Sequence, residues 1–456
     1  MTMHASQPGA HTMRTFYIIW FGQLVSLLGS NLTGFALGVH VYQKTGSITS
    51  FALSILALTI PGVVFSPLAG ALVDRFPRRW MMILSDAGAG LTTVAILLLV
   101  LTNNLQIWHI YAANFVASLF GTFQWPAYSA ATTMLVPQAQ LGRASGMVQM
   151  ADAVAQLAAP AIAGGLFATW GLGNIILVDI VTFLFAVGTL LYVRIPEPVR
   201  TAEEAASKPS LVASMRTGFR FIRQRPGLLQ LLMYFAGINL FLNMLQPLWT
   251  PLLLDLGSPA QAGLVSSIVG GGMLVGTIVM SAWGGPRRRV YGVIGSGIWM
   301  GVMLLFLLRP ATVEWIALIG FLSMLVLPVL NGSSQALWQS KTEPDLQGRV
   351  FAVRRMLAQF TAPIAILLSG PLVDGIFRPS LMPGGALADT LLGTWVGVGP
   401  GRGMALFFAC VAILVLIISA IALTSPRLRH VQDELPDVII RSQSEAEALN
   451  EARHAS

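Results

Sequence analysis

The sequence predicts an all-α membrane protein: twelve transmembrane helices in two parallel-repeat six-helix bundles, with both termini in the cytoplasm. Three observations predict it. The chain of 456 residues is 55% hydrophobic and only 10% charged, whereas a soluble domain carries roughly 25% charged residues and does not expose so much hydrocarbon. Twelve stretches reach the length of about 20 residues that crosses a hydrocarbon core ~30 Å thick. Signals in the first six stretches recur in the last six.

The stretches fall at approximately 16–42, 50–73, 80–102, 107–134, 142–168, 171–194, 227–253, 259–282, 289–309, 313–340, 349–376 and 403–424. Each is expected to be helical, because lipid offers the backbone no hydrogen-bond partner. The fifth and sixth are separated only by the turn "TWGLGN". They divide into an N-terminal bundle (1–194), a cytoplasmic linker (195–226), a C-terminal bundle (227–424) and a cytoplasmic tail (425–456). An even number of spans puts both termini on one face. That face collects all 27 lysines and arginines except Lys44, Arg309, Arg378 and Arg402, so the excess of positive charge marks it as cytoplasmic. The net charge of +8 is thereby a topology signal, and no nucleic-acid partner is expected. The first stretch is too long for a cleaved signal peptide and contains Gln23, Ser26, Ser30 and Asn31. The single cysteine, Cys410, allows no intramolecular disulfide.

The linker opens with "IPEPVRTAEEAASKPS", which reads as flexible. It continues as "LVASMRTGFRFIRQRP", which puts Leu211, Met215, Phe219 and Ile222 on one helical face and Arg216, Arg220 and Arg223 on the other. This pattern predicts a helix on the cytoplasmic leaflet with its arginines toward anionic lipid; a helix docked on protein is the alternative. The halves read as copies. "GRASGMVQMADAVAQLAAP" opens the fifth span and "GRVFAVRRMLAQFTAP" the eleventh, while "FPRRWMMI" after the second is echoed by "GPRRRVYGVI" after the eighth. Signals matched six spans apart imply a repeat about an axis along the membrane normal.

One charged loop, "PLAGALVDRFPRRWMMIL" at 67–84, sits between two apolar walls. Its Gly70, Leu72, Asp74, Arg75, Arg78 and Arg79 resemble the loop between spans 2 and 3 of the major facilitator superfamily, Gly-x-Leu-x-Asp-Arg-x-Gly-Arg-Arg/Lys. Pro77 stands where the family usually has glycine, and suits the first turn of span 3. "WPAYSAATTMLVP", "QGRVFAVRR" and "GVGPGRGMALFF" narrow the resemblance to the drug:proton antiporter branch that holds macrolide-efflux and enterobactin-exporter-like proteins. It covers most of residues 14–424.

The resemblance implies a secondary active transporter of the cell membrane. It would export an amphipathic small molecule, drug or siderophore-like, by proton-driven alternating access. In the family the carboxylate at Asp74 meets the N-terminal end of span 11, and with its arginines holds the outward-facing state closed. An uncoupled lipid or metabolite carrier of the same fold is the alternative, and a transport-inactive membrane sensor or assembly protein is one of a different class.

Three carboxylates lie within spans, each costing about 2.5–3.5 kcal/mol at a helix centre. Asp86, near the cytoplasmic end of span 3, is assigned to the gate with Gly70, Asp74, Arg75, Arg78 and Arg79. Asp179 reads as a structural helix–helix contact. Asp152 lies about 15 Å deep in span 5, with Gln149 and Gln156 on the same face. It reads either as a proton or substrate site or as a structural polar contact.

Polar stripes run along span 1 (Gln23, Ser26, Ser30), span 4 (Asn114, Ser118, Thr122, Trp125), span 7 (Asn239, Asn243, Gln246) and span 10 (Asn331, Ser334, Gln335, Trp338). Polar residues in a membrane face the bundle or a watery cavity, and the resemblance assigns these four spans to the central cavity. The superfamily's span-5 packing motif survives in "AQLAAPAIAGG" as Pro160 and Gly164, where small residues allow close helix approach. Span 4 lacks the arginine that many proton antiporters of the superfamily carry. Neither a phosphate-binding loop nor a metal-spaced His/Cys cluster is evident. The reading is therefore a non-enzymatic, cofactor-free and metal-free monomer whose partners are a small amphipathic substrate, protons and anionic lipid.

Overall fold

The computed structural model describes residues 11–73, 75–193, 195, 211–309 and 312–434. All regular secondary structure among them is helical. Span 1 is His11–Thr45, span 2 Ile48–Val73, span 3 Arg78–Leu101 and span 4 Ile107–Leu135. Spans 5 and 6 form the continuous stretch Leu141–Tyr192, broken at Gly171 by φ 76° and ψ 172°. That conformation is essentially restricted to glycine, and it falls inside the turn "TWGLGN".

In the second half, span 7 is Pro226–Leu245, continued after the 3-10 turn Gln246–Leu248 by Trp249–Leu256. Span 8 is Pro259–Trp283, span 9 Arg289–Leu305, span 10 Val313–Leu325 with Leu327–Lys341, span 11 Pro344–Leu372 and span 12 Arg402–Thr424. Ten helices among the described residues are long and apolar enough to cross a membrane. One of them is the joined pair of spans 5 and 6, and span 4, with no Asp, Glu, Lys or Arg, completes the twelve.

Most packing stays within each half. Span 1 lies along spans 5 and 6, and span 4 lies against spans 2 and 3. In the second half span 8 packs on span 10, span 9 on span 12, and span 11 on span 7. The halves meet through two helix pairs, span 5 with span 8 and span 2 with span 11, which are corresponding pairs under the repeat. In the first pair a Cβ on Gly164 would stand on the Pro259 carbonyl oxygen, and one on Gly263 on the Pro160 carbonyl oxygen. Only glycines let these backbones come so close. Pro160 and Gly164 thus lie in a contact between halves.

The largest apolar core fills the second half around Phe235, Trp338 and Phe408, and Tyr42, Ile48 and Phe51 of the first half join it. Those three sit at the turn between spans 1 and 2, on the face opposite the termini, called here the far face.

The linker helix forms over Leu211–Arg223, and one flank of it is seated on protein. Phe221 and Ile222 are buried in the core of the second half, and Gly218 lies against the Arg349 carbonyl of span 11. Phe219, on the face read as lipid-facing, stays 48% exposed, as do Arg216, Arg220 and Arg223. The start of the tail also docks: Leu428 and Val431 are buried, and Lys341 Nζ donates to the Gln432 carbonyl at 2.7 Å.

Candidate functional site

Two cavities open within the first half. The larger, about 760 Å³, is lined from all six spans of the first half and includes Ser26, Asn114, Asp86 and Asp179. The smaller, about 320 Å³, is lined by Trp20, Gln23, Trp125, Tyr128, Asp152 and others. They share Ser26, Ser30, Asp86 and Gly121, so they are neighbouring chambers of one polar region. Among the described residues no lysine or arginine lines either one.

Asp86, expected at the gate, belongs to this interior. It accepts a hydrogen bond from Gln23 Nε2 at 2.9 Å, and Gln23 Oε1 in turn accepts from Gln124 Nε2 at 2.8 Å. Seven residues, or about 10 Å of helix rise, separate it from Arg79, whose guanidinium turns the other way. Asp179 accepts from Ser30 Oγ at 3.2 Å and Thr93 Oγ1 at 3.5 Å, tying spans 1, 3 and 6. Among the described residues Asp152 makes no hydrogen bond or ion pair. Gln149 and Gln156 are exposed and line neither cavity. Asn114 Nδ2 and Ser118 Oγ donate to carbonyls of span 2, at Ser54 and Leu58, so part of the span-4 stripe is interhelical bonding.

The second-half residues expected in the cavity lie apart from these two chambers. Trp338 is fully buried in the bundle core, because its ring packs beside Arg354. Asn239 and Asn243 donate to backbone carbonyls one turn back in their own helix. Gln335 accepts from Arg354 Nη1 at 2.8 Å. Gln246 and Asn331 are exposed, and none of the six lines either cavity.

Of the gate loop, Asp74 lies outside the described residues, and Gly70 is helical at the end of span 2. Arg79 donates to the Leu190 and Leu191 carbonyls at 2.8 and 2.6 Å. A cation there answers the negative end of span 6, so this arginine braces its own half. Arg78 keeps a buried Nε without a hydrogen-bond partner, and Arg75 is exposed.

A second acidic centre, on the far face, was not read from the sequence. Asp374 lies in a π-helical turn, Val373–Phe377, that follows span 11. Its carboxylate accepts from Ser47 Oγ, Thr49 N and Thr49 Oγ1 at 2.7, 2.8 and 2.8 Å, and from Ile48 N at 3.2 Å. It thereby caps the N-terminus of span 2, where unpaired N–H groups and the helix dipole favour an anion. Arg378 Nη2 reaches Asp255 at 3.5 Å and its Nη1 reaches Asp374 at 4.0 Å; it also donates to the Gly46 carbonyl. Tyr42 donates to Asp255 at 2.5 Å. Spans 1 and 2 of one half are thus fastened to spans 7 and 11 of the other.

A signal for Asp374 was present. "GALVD" at 70–74 and "GPLVD" at 370–374 are the same Gly-x-Leu-Val-Asp, ending two antiparallel spans that pack together.

The comparisons with known proteins agree with this architecture. Residues 19–366 match the Major Facilitator Superfamily. The chain is 30% identical over 371 residues to macrolide efflux protein A of Streptococcus pyogenes, covering 79% of this chain and 90% of that protein. It is 27% identical over 369 residues to the multidrug efflux pump Tap of Mycolicibacterium fortuitum, covering 78% and 88%. Among solved structures, a bacterial homologue of the human lysosomal transporter Spinster, inward-facing and unoccupied, superposes with a TM-score of 0.70 at 11% identity, covering 93% of this chain and 98% of that one. The nucleoside transporter NupG superposes with a TM-score of 0.66 at 14% identity, covering 91% and 100%. Twelve spans in two six-helix halves, with a match across three quarters of the chain, make this a multi-pass membrane transporter belonging to the Major Facilitator Superfamily.

Proposed function

We propose that the protein is a proton-driven exporter of an amphipathic small molecule, working by alternating access from the cytoplasm. One observation carries this reading: two joined cavities hold Asp86, Asp152 and Asp179, with no lysine or arginine among the described residues of their walls. Carboxylates within a membrane mark substrate and proton routes, and an acidic interior without fixed cations suits exchange of substrate for protons. The relatives named as macrolide and multidrug efflux proteins support export of drug-like molecules.

The conformation described is inward-facing in this reading, with the termini face cytoplasmic. The Asp374 latch holds the far side shut. Asp74, which ends span 2 with the same five-residue pattern, is the counterpart that caps span 11 when the cytoplasmic side closes. Each state then keeps one carboxylate on one helix N-terminus, so two nearly matched interactions alternate. A switch between states a few kcal/mol apart needs no more than this. The exposed arginines of the linker helix remain available to anionic lipid.

The test is accumulation of a panel of macrolides, dyes and catechol siderophores in an efflux-deficient bacterium at matched expression. The wild-type protein should lower accumulation of one compound class, and both a protonophore and Asp152→Asn should abolish the effect. Export that persists in the presence of the protonophore would refute proton coupling. Unchanged accumulation of every compound would refute export.

A further inference from the structure

We infer that the smaller cavity is a binding site for a protonated tertiary amine, the cationic head of the transported molecule. The inference rests on the export reading and narrows its substrate class. The chamber of about 320 Å³ has aromatic walls in Trp20, Trp125 and Tyr128 and carboxylates in Asp86 and Asp152. Trp20 is pinned by a bond from its Nε1 to the Met147 carbonyl at 2.8 Å, which fixes its ring. An ammonium over such rings is attracted by their negative faces, the arrangement of aromatic cages.

The polar groups point to the same ligand. Asp152 is a carboxylate without a bonded partner among the described residues. The Tyr128 side chain is 9% exposed, yet its hydroxyl is buried with no hydrogen bond, and so is Gln124 Oε1. Gln124 spends its Nε2 on the chain through Gln23 to Asp86, so the oxygen is the part left unmade. Buried acceptors left without donors are costly, and a ligand that brings an N–H removes that cost.

An anion would meet two carboxylates and no fixed cation. A metal ion would need a clustered ligand set, and no group of three His, Cys, Asp or Glu suited to one occurs among the described residues. A quaternary ammonium would fill the aromatic box but offer the acceptors nothing. A primary ammonium carries three strongly hydrated N–H groups and offers Trp20, Trp125 and Tyr128 no apolar substituents to pack on. A tertiary ammonium presents one N–H and an apolar rim. The body of the molecule would continue past Ser26 and Ser30 into the chamber of about 760 Å³.

The test uses the full-length protein in detergent and three fluorescent coumarins that differ only at the end of a butyl chain: dimethylamino, trimethylammonium or isopropyl. Binding is read by anisotropy against empty micelles. The dimethylamino probe should bind the wild-type protein roughly tenfold more tightly than its isopropyl isostere, with the trimethylammonium probe between. Asp152→Asn and Trp125→Ala should each cut that preference to about threefold or less, while Trp125→Phe keeps most of it. Melting temperatures near the wild-type value would show that the variants fold.

Equal binding of the amine and its isostere by the wild-type protein would overturn the site. So would a preference untouched by both Asp152→Asn and Trp125→Ala. Proteoliposome flux separates the two readings. Amine-selective binding without pH-driven flux retires the exporter and keeps the site; flux of amphiphiles without amine preference retires the site and keeps the exporter.

Discussion

Asp374 shows how one side chain can hold a conformation. Its carboxylate takes four bonds from the start of span 2, and hydrogen bonds to a charged group are worth about 1.5–3 kcal/mol each. Asp374→Asn keeps the shape but loses the charge and half the acceptors. With Cys410 replaced and a cysteine placed at Ile48, buried at the latch, the Asn variant should label several-fold faster with a membrane-impermeant maleimide and should transport more slowly. Labelling at the parental rate would mean that the latch does not hold the far side. The residue escaped sequence reading for a physical reason. Its partners Ser47 and Thr49 are more than 300 positions away, and no local rule says which helix N-terminus a carboxylate will meet. Asp86 misled for the opposite reason, since closeness in sequence to three arginines suggested contact that helix rise and rotation deny.

Helices were the legible scale. A membrane span has to be long and apolar whatever it packs against, so all twelve could be read from composition, and the break between spans 5 and 6 from "TWGLGN". What an amphipathic helix faces was not legible. Lipid and protein both accept an apolar stripe; here buried Phe221 and Ile222 and Gly218 against span 11 mark the protein-facing flank. The same ambiguity explains the second-half polar stripes. Asn239 and Asn243 satisfy themselves on their own backbone, which a periodic pattern cannot distinguish from cavity lining. The break itself can be tested. Any side chain at Gly171 must adopt φ near 76°, at a cost of order 1–3 kcal/mol. Gly171→Ala should therefore lower the melting temperature of the purified protein while leaving amine selectivity in place. An unchanged melting temperature would show that the turn can relax.

At the scale of the molecule, charge asymmetry and the far-side latch belong to one orientation. If the termini face is cytoplasmic, a reporter inserted in the linker at 200–208 should be active only when scored for cytoplasmic location. A reporter in the loop at 383–390 should be active only outside. The reverse pattern would invert the direction of transport proposed here. The cores of the two halves join where Tyr42, Ile48 and Phe51 enter the core of the second half and where Ala52 and Leu56 of span 2 meet Ile366 of span 11. The sequence repeat foretold the two units, but not where they touch.

The glycine contact between spans 5 and 8 has a mechanical consequence. Gly263 lies near the far-face end of span 8, Pro259–Trp283, leaving 20 residues, or about 30 Å of lever arm at 1.5 Å per residue, toward the termini face. Each degree of tilt about that fulcrum moves the end of the arm by about 0.5 Å, so a mouth ~10 Å wide asks for a swing on the order of 20°. Backbone resting on backbone can roll through such an angle without any side chain changing rotamer. Bulk added at Gly164 or Gly263 would shorten the stroke, and with it the girth of the largest cargo, before it touched how tightly a small one is held.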